Sequence, residues 1–298
     1  MGWRRRSRSS TVYSIPPTKK KACRHLSKNE NRIGRENNMP GYAELKSAFE
    51  ALGLVDKPII AHASLKPFGY VQGGADIVLR AMLTSFKSIM MPTFTYKTMV
   101  TPEVGPPNNG IKYGAEKDLN RMAQPFTPDM PADPMMGALA ETLRNHAASK
   151  RTSHPILSFA GIKSDEYLAA QTLYEPLAPI GALAEADGWV VLVNVGHDAN
   201  TSIHYGERLA GRRQFIRWAL VGDRVVECPG FPGDSTGFTA IDDYIKPDTL
   251  RVDMDGDAFI QAVPLKRLLG AVGEMIKKDP LALLCQRMDC ERCNAIKR

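Results

Sequence analysis

Between Val195 and Glu207 the chain reads VGHDANTSIHYGE, with two histidines, two carboxylates, a Thr–Ser pair and an asparagine in thirteen positions. His204 and Glu207 lie three apart, so they share one face if that stretch is helical. His197 and Asp198 fall in the turn before it. An imidazole oriented by a carboxylate is the side-chain pair that removes a proton near neutral pH. General-base chemistry is therefore the first expectation for this segment. An H-x-x-E pair also suits a metal, but no third ligand at matching spacing accompanies it. No G-x-S-x-G elbow surrounds Ser64, Ser158 or Ser202, so a serine hydrolase is not indicated.

The elements that must position these residues are legible around them. Trp189 to Val195 (WVVLVNV) is an uninterrupted apolar run, the pattern of a strand buried on both faces. A strand that empties into a Gly- and Asp/Asn-rich turn puts polar side chains where open α/β sheets hold their ligands. Tyr42–Leu52 carries apolar residues at helical spacing and ends at Gly53. Pro58–Ala63 and Ser88–Pro92 read as short buried strands, and Ala75–Leu83, Pro134–Lys150 and Leu265–Lys277 as helices. Thr101 to Pro134 is Pro-, Gly- and Asn-rich and too long for a packed connection, which suits a functional loop or flap. The alternation predicts an α/β fold: a mainly parallel sheet flanked by helices, with long inserted loops.

Charge narrows the function classes. The net charge is +7, yet residues 1–38 hold eleven Lys/Arg against two Glu, which leaves −2 for the remainder. The basicity belongs to a tail, and the body gives no support to nucleic-acid binding. The tail lacks a hydrophobic period and reads as disordered; Met39 is read as the natural start, with 39–298 as a single domain. No apolar run reaches the roughly 20 residues that span a bilayer. Five cysteines do not make a disulfide framework at this length and suit a reducing cytoplasm. Cys285, Cys290 and Cys293 form C-x4-C-x2-C; without a nearby histidine they are read as free thiols and not as a metal site.

Two other segments carry polar residues at strand ends. His62-Ala63-Ser64-Leu65-Lys66, followed by Gly73-Gly74 before a helix, forms a strand–turn–helix whose N–H groups suit an anion. Arg151–Phe159 (RTSHPILSF) is a polar turn entering a strand; His154 before Pro155 is held extended and is read as a structural hydrogen-bonding histidine.

Taken together and in order, HASL with its later GG, MPTFT, MGALAETLR, RTSHPILSFAG, YEPLAPIG, DGWVVLVNVGHDANTSIHYGE and GFPGDSTGF resemble the aminoglycoside 3-N-acetyltransferase (antibiotic N-acetyltransferase) family. The resemblance extends over most of residues 42–293 and implies that family's fold. It also implies a cytoplasmic enzyme, a monomer or homodimer, that moves an acetyl group from acetyl-CoA to the 3-amine of a 2-deoxystreptamine ring, with no metal required. Under that resemblance His204 is the base, with Glu207 or Asp198 orienting it, and transfer is direct within a ternary complex. Ser64, Leu65, Lys66, Gly73, Gly74, Ser158 and Phe159 match the family's coenzyme A segments. Glu207, Asp234, Asp242 and Asp243 are the carboxylates available to a polycationic drug, and Tyr96 and Lys97 stand where some relatives carry acidic contacts. Acylation of another, biosynthetic amine is the alternative within the same chemistry. A zinc-organised interaction protein whose basic tail binds RNA or membrane is the alternative outside it.

Overall fold

The alternation of side chains along three short strands explains the layering. In the computed structural model, β1 (Pro58–Ala63), β2 (Ser88–Pro92) and β6 (Trp189–Val193) are almost entirely buried. Ile60, Met90, Val190 and Leu192 enter one apolar cluster, whereas Ile59, Ala61, Ile89, Met91, Val191 and Val193 enter another. Successive side chains point to opposite faces of a strand, so the sheet separates two cores and must be covered on both sides. The structure describes residues 40–298 except 115 and 116, and the side chains of 117–119 are not described. The expectation for the basic tail, residues 1–38, lies outside the described residues.

One face is covered by α1 (Tyr42–Glu50), α2 (Gly74–Ser85) and α3 (Gly137–Asn145), which bury Leu45, Phe49, Val78, Met82, Leu139 and Leu143. The other is covered by α4 (Ala178–Glu185), α5 (Thr201–Leu209) and α6 (Leu265–Lys278). Each large aliphatic or aromatic side chain so buried contributes about 1.5–3 kcal/mol relative to exposure. In α6 the buried positions Leu265, Leu268, Ala271 and Val272 follow helical spacing, and Lys277 and Lys278 in the last turn suit the negative helix end.

The sheet has seven strands in the order β4-β5-β2-β1-β6-β10-β9, where β4 is Lys150–Arg151, β5 Phe159–Ile162, β9 Leu250–Asp253 and β10 Phe259–Pro264. β1 pairs in parallel with β2 and β6. The outer pairings are antiparallel. The expected parallel arrangement thus holds at the centre, where helical crossovers connect the strands. Toward the edges, connections of only a few residues join β4 to β5 and β9 to β10, and connections that short return the chain antiparallel.

A second, three-stranded sheet of β3 (Met99–Val100), β7 (Phe215–Val221) and β8 (Arg224–Phe231) has the order β3-β7-β8. β7 and β8 form a hairpin closed by Gly222-Asp223, with Gly222 at φ 60° as a primed turn demands. The loop from residue 101 onward includes a short helix, Lys117–Met122. Asn109 ties this loop to β7, accepting the Ile216 N–H and donating to the Ile216 carbonyl, while Arg217 donates to the Asn109 carbonyl.

Candidate active site

The C-terminal ends of the central strands open into a cavity of about 1110 Å³. Its floor is the end of β1 with the following turn (Ala61 to Lys66) and the end of β2 (Met91, Pro92). Asn194 holds this edge together. At φ 55° it donates to the Ser64 carbonyl and accepts the Phe259 N–H, linking the exits of β1 and β6 to the start of β10. The start of α3, the segment after β8 and Gly110–Ile111 of the long loop form the remaining walls.

His204 reaches this cavity from α5. Asn200 caps the helix, its side-chain oxygen accepting the Ser202 N–H at 3.0 Å. The three-residue spacing then brings His204 Nδ1 to 2.8 Å from Glu207 Oε2. Gly206 lets the helix approach α6 closely, since a Cβ there would lie 2.9 Å from Cβ of Val272. The other Glu207 oxygen accepts from Arg212 Nη1 at 2.6 Å, and Arg212 Nη2 donates to the carbonyls of Pro280 and Ala282 at 2.8 Å each. His204, Glu207 and Arg212 are only 7 %, 2 % and 7 % exposed. Phe238 packs edge-on against the imidazole with centroids 4.6 Å apart. With Nδ1–H donating to the carboxylate, the neutral ring carries its lone pair on Nε2. That is the arrangement of a base whose tautomer is set by a buried carboxylate, itself held by a buried arginine.

The other expected residues fall into different places. Glu207 is His204's partner. Asp198 is exposed on the cavity lining and stands near Asp242, whose carboxyl is held above its usual range by burial and by the charges of Asp243 and Asp198. Glu207, also expected to touch substrate, has both oxygens engaged, is almost unexposed and is not among the lining residues. Tyr96 lines the cavity, and burial pushes its phenol up to about 12. Lys97 is exposed and is not among the lining residues. Asp234 lines the cavity, but Arg287 approaches its Oδ2 at 2.9 Å and Arg292 at 3.5 Å.

Ser64, Leu65 and Lys66 line the cavity as expected, whereas Gly73 and Gly74 sit on the exposed turn that opens α2. At Gly73, φ is 85° and a Cβ would come within 2.2 Å of Ile77, so the turn requires glycine. Ser158 and Phe159, expected to meet the cofactor, are not among the residues that line the cavity. Both are fully buried. The Ser158 hydroxyl donates to the Thr93 carbonyl and accepts from Arg151 Nε, and Phe159 stacks edge-on against Phe94. They back the cavity wall through Phe94, which does line it.

His154 accepts the N–H groups of Ile156 and Leu157 through Nδ1, the structural role expected of it. His62, at the cavity floor, and His197, hydrogen-bonded to Asn200, are buried as well. Burial lowers all three, His62 to about 3 with the help of the His197 charge, His154 to about 4 and His197 to about 4. Unfolded histidines take up protons below about pH 6.5, whereas these do not until about pH 4, so the unfolded chain binds more protons in that window. Stability is expected to fall with pH there, by up to roughly 1.4 kcal/mol per pH unit for each ring. Urea midpoints at about pH 7.5 and about pH 5 check this; equal midpoints would mean that the rings charge in place.

Arg212 and Phe238 completed the site without being singled out in the sequence, where His62 was named only at the head of the strand–turn–helix. Arg212 had a faint signal, a cation one helical turn beyond Glu207 just after the helix-ending Gly211.

A family model described as aminoglycoside 3-N-acetyltransferase matches residues 60–277. Aminoglycoside N(3)-acetyltransferase IV from Salmonella sp. is 34% identical over 172 residues, which are 54% of this chain and 66% of that relative. The chain therefore spans just under two-thirds of the relative's length in that match. Among solved structures, aminoglycoside acetyltransferase AAC(3)-IVa, in a histidine-to-alanine variant complexed with a gentamicin, superposes with a TM-score of 0.68 at 22% identity, covering 86% of this chain and 96% of the other. The binary complex of AAC-IIIb with CoASH superposes with a TM-score of 0.65 at 19% identity, covering 80% and 97%. At those identities the structures establish a shared fold. With a family model matched across most of its length, the chain belongs to the aminoglycoside 3-N-acetyltransferase family.

Proposed function

We propose that this protein transfers the acetyl group of acetyl-CoA to the 3-amine of the 2-deoxystreptamine ring of aminoglycosides, in a single ternary complex, and so confers resistance to them. The observation that carries this reading is the buried chain His204–Glu207–Arg212 ending on a cavity at the strand termini. A sugar amine that is protonated at neutral pH is not a nucleophile. His204 Nε2 takes its proton, the nitrogen then bonds to the thioester carbonyl carbon, and the carbon–sulfur bond breaks. The proton held by the imidazole is returned to the departing sulfur, the second nitrogen proton leaves to solvent as the amide forms, and the base is ready for the next turnover. Glu207 stabilises the imidazolium between these events. The cavity is large enough for two substrates, with Ser64, Leu65 and Lys66 at one side as the coenzyme A contacts and Lys66 facing its phosphates. Asp198 and Tyr96 are the drug contacts on this reading, and residues 39–298 are the catalytic unit.

A second reading rests on the charge of the cavity. Its lining carries Lys66, Arg217 and Arg292 against Asp198 and Asp234, and Asp234 is already held by two arginines. A less cationic, biosynthetic amine suits such a wall better than a polycation does. Thiol release from acetyl-CoA, measured across 2-deoxystreptamine drugs and simple amino sugars, separates the two. Turnover with the drugs supports the first reading, and turnover confined to amines of low charge supports the second. No thiol release with any amine would remove both.

A further inference from the structure

Three thiols that acetyl transfer does not use converge on one carboxylate. Cys285, Cys290 and Cys293 place their sulfur atoms, and Asp234 a carboxylate oxygen, within 4.8 Å of one another, and all four residues are buried. We propose that these four residues form a structural zinc site that pins the C-terminal segment to the wall of the catalytic cavity.

The donor set fits the ion. Zinc takes thiolate and carboxylate ligands in a tetrahedron, and bonds of about 2.3 Å put neighbouring sulfurs about 3.8 Å apart. The present spacing needs a contraction of roughly 1 Å or less to reach that geometry. The three cysteines follow the close C-x4-C-x2-C spacing, and the fourth donor comes from a distant part of the chain, which is how a metal cross-links two segments. Arg287, two residues after Cys285, donates to the Asp234 carboxylate at 2.9 Å, so the carboxylate ligand has a partner of its own outside the cluster. Hydrogen-bonded partners of this kind orient metal ligands.

Charge also balances. Three thiolates and a carboxylate around Zn²⁺ sum to −2, and Arg287 and Arg292, both within 3.5 Å of the Asp234 carboxylate, restore neutrality. Loading involves no redox step: three S–H protons leave to solvent as four zinc–ligand bonds form.

The fold gives the site work to do. The last helix, α7 (Glu291–Lys297), has seven residues, too few to be stable in isolation. Its Cys293 enters a small cluster with Leu284, Cys285 and Cys290, while Ala295 reaches the larger core and Ile296 touches both. Yet it carries Arg292 into the cavity lining, against the Gly233–Thr236 segment that leads to Phe238 and the His204 ring. Four protein donors leave no open position, so the ion is structural and distinct from the histidine base.

The test is metal content of the full chain from cells grown with added zinc, desalted and measured by mass spectrometry, with thiols counted before and after a mercurial. Wild type is expected to hold about one zinc per chain and to release it as the thiols react. Asp234→Asn, which keeps the side-chain volume, is expected to weaken zinc retention against a chelator by more than about tenfold. Because Cys293 is fully enclosed and its replacement can misfold the segment, Cys290→Ser, at the least deeply buried of the three thiols, and cobalt(II) uptake by wild type, read as thiolate charge-transfer absorption, serve alongside. Fewer than about 0.1 zinc per chain with no cobalt uptake by reduced protein would overturn the site. So would a two-hydrogen mass loss showing a native disulfide, or full zinc retention in Cys290→Ser. Each readout is independent of acetyl transfer.

Discussion

His204→Ala is expected to lower kcat for acetyl transfer by ~10²–10⁴-fold, the usual contribution of a positioned general base. Ser64–Lys66, the proposed coenzyme A contacts, lie on another element, so KM for acetyl-CoA is expected to change little. The pH profile makes the result diagnostic. Without an internal base, the variant depends on amine already deprotonated in solution, a fraction that rises about tenfold per pH unit below the amine pKa. Its residual rate is therefore expected to climb with pH where the wild-type rate has levelled. A variant within about threefold of wild type, with an unchanged profile, would remove His204 from the chemistry.

Glu207→Gln is expected to cost nearly as much, for a reason that only the partners of both oxygens reveal. Arg212 offers only donors, so the glutamine oxygen must face it and the amide nitrogen must face His204. An amide N–H donating to Nδ1 forces the proton of the neutral ring onto Nε2, the atom that must accept. A wrong tautomer in an otherwise intact triad costs on the order of 10⁴-fold in a serine protease, and a loss of ~10²–10⁴ in kcat is expected here. Stability drops as well, because Arg212 keeps its carbonyl acceptors but loses its counter-charge in a site 2 % exposed. Breaking a buried pair costs about 3–5 kcal/mol when one partner is removed outright. The retained amide keeps this variant below that, and Tm is expected to fall by several degrees. Glu207→Ala is expected to lie further down in Tm yet no lower in kcat, since the ring is then free to adopt either tautomer. If Glu207→Gln kept wild-type kcat and Tm, the carboxylate would be neither orienting the base nor holding the arginine.

Much of the frame was legible in the sequence. The Trp189–Val193 strand, the Ser88–Pro92 strand and the amphipathic Leu265–Lys278 helix follow from periodicity, because period and apolar content decide which face is buried. The β7–β8 hairpin was also written there, as apolar runs flanking Gly222-Asp223, but it needed to be read as strands rather than passed over. Ser158 and Phe159 show what position in the sequence leaves open: both are buried in the core, with Phe159 packed edge-on against Phe94, which lines the cavity.

By itself the sequence determined the local pairing of His204 with Glu207, since a helix places residues three apart on one face whatever surrounds it. It also determined that His204 would follow the exit of a buried strand, through the run WVVLVNV and the turn after it. Tertiary structure alone decided that Glu207 and not Asp198 is the partner, that Arg212 neutralises it, and that Asp234 sits among three cysteines some fifty or more residues away. Those outcomes depend on chain segments that meet only when two cores have formed. Burial then leaves each carboxylate the nearest cation or thiol as its partner, a choice made by the cost of an unpaired charge and not by spacing along the chain.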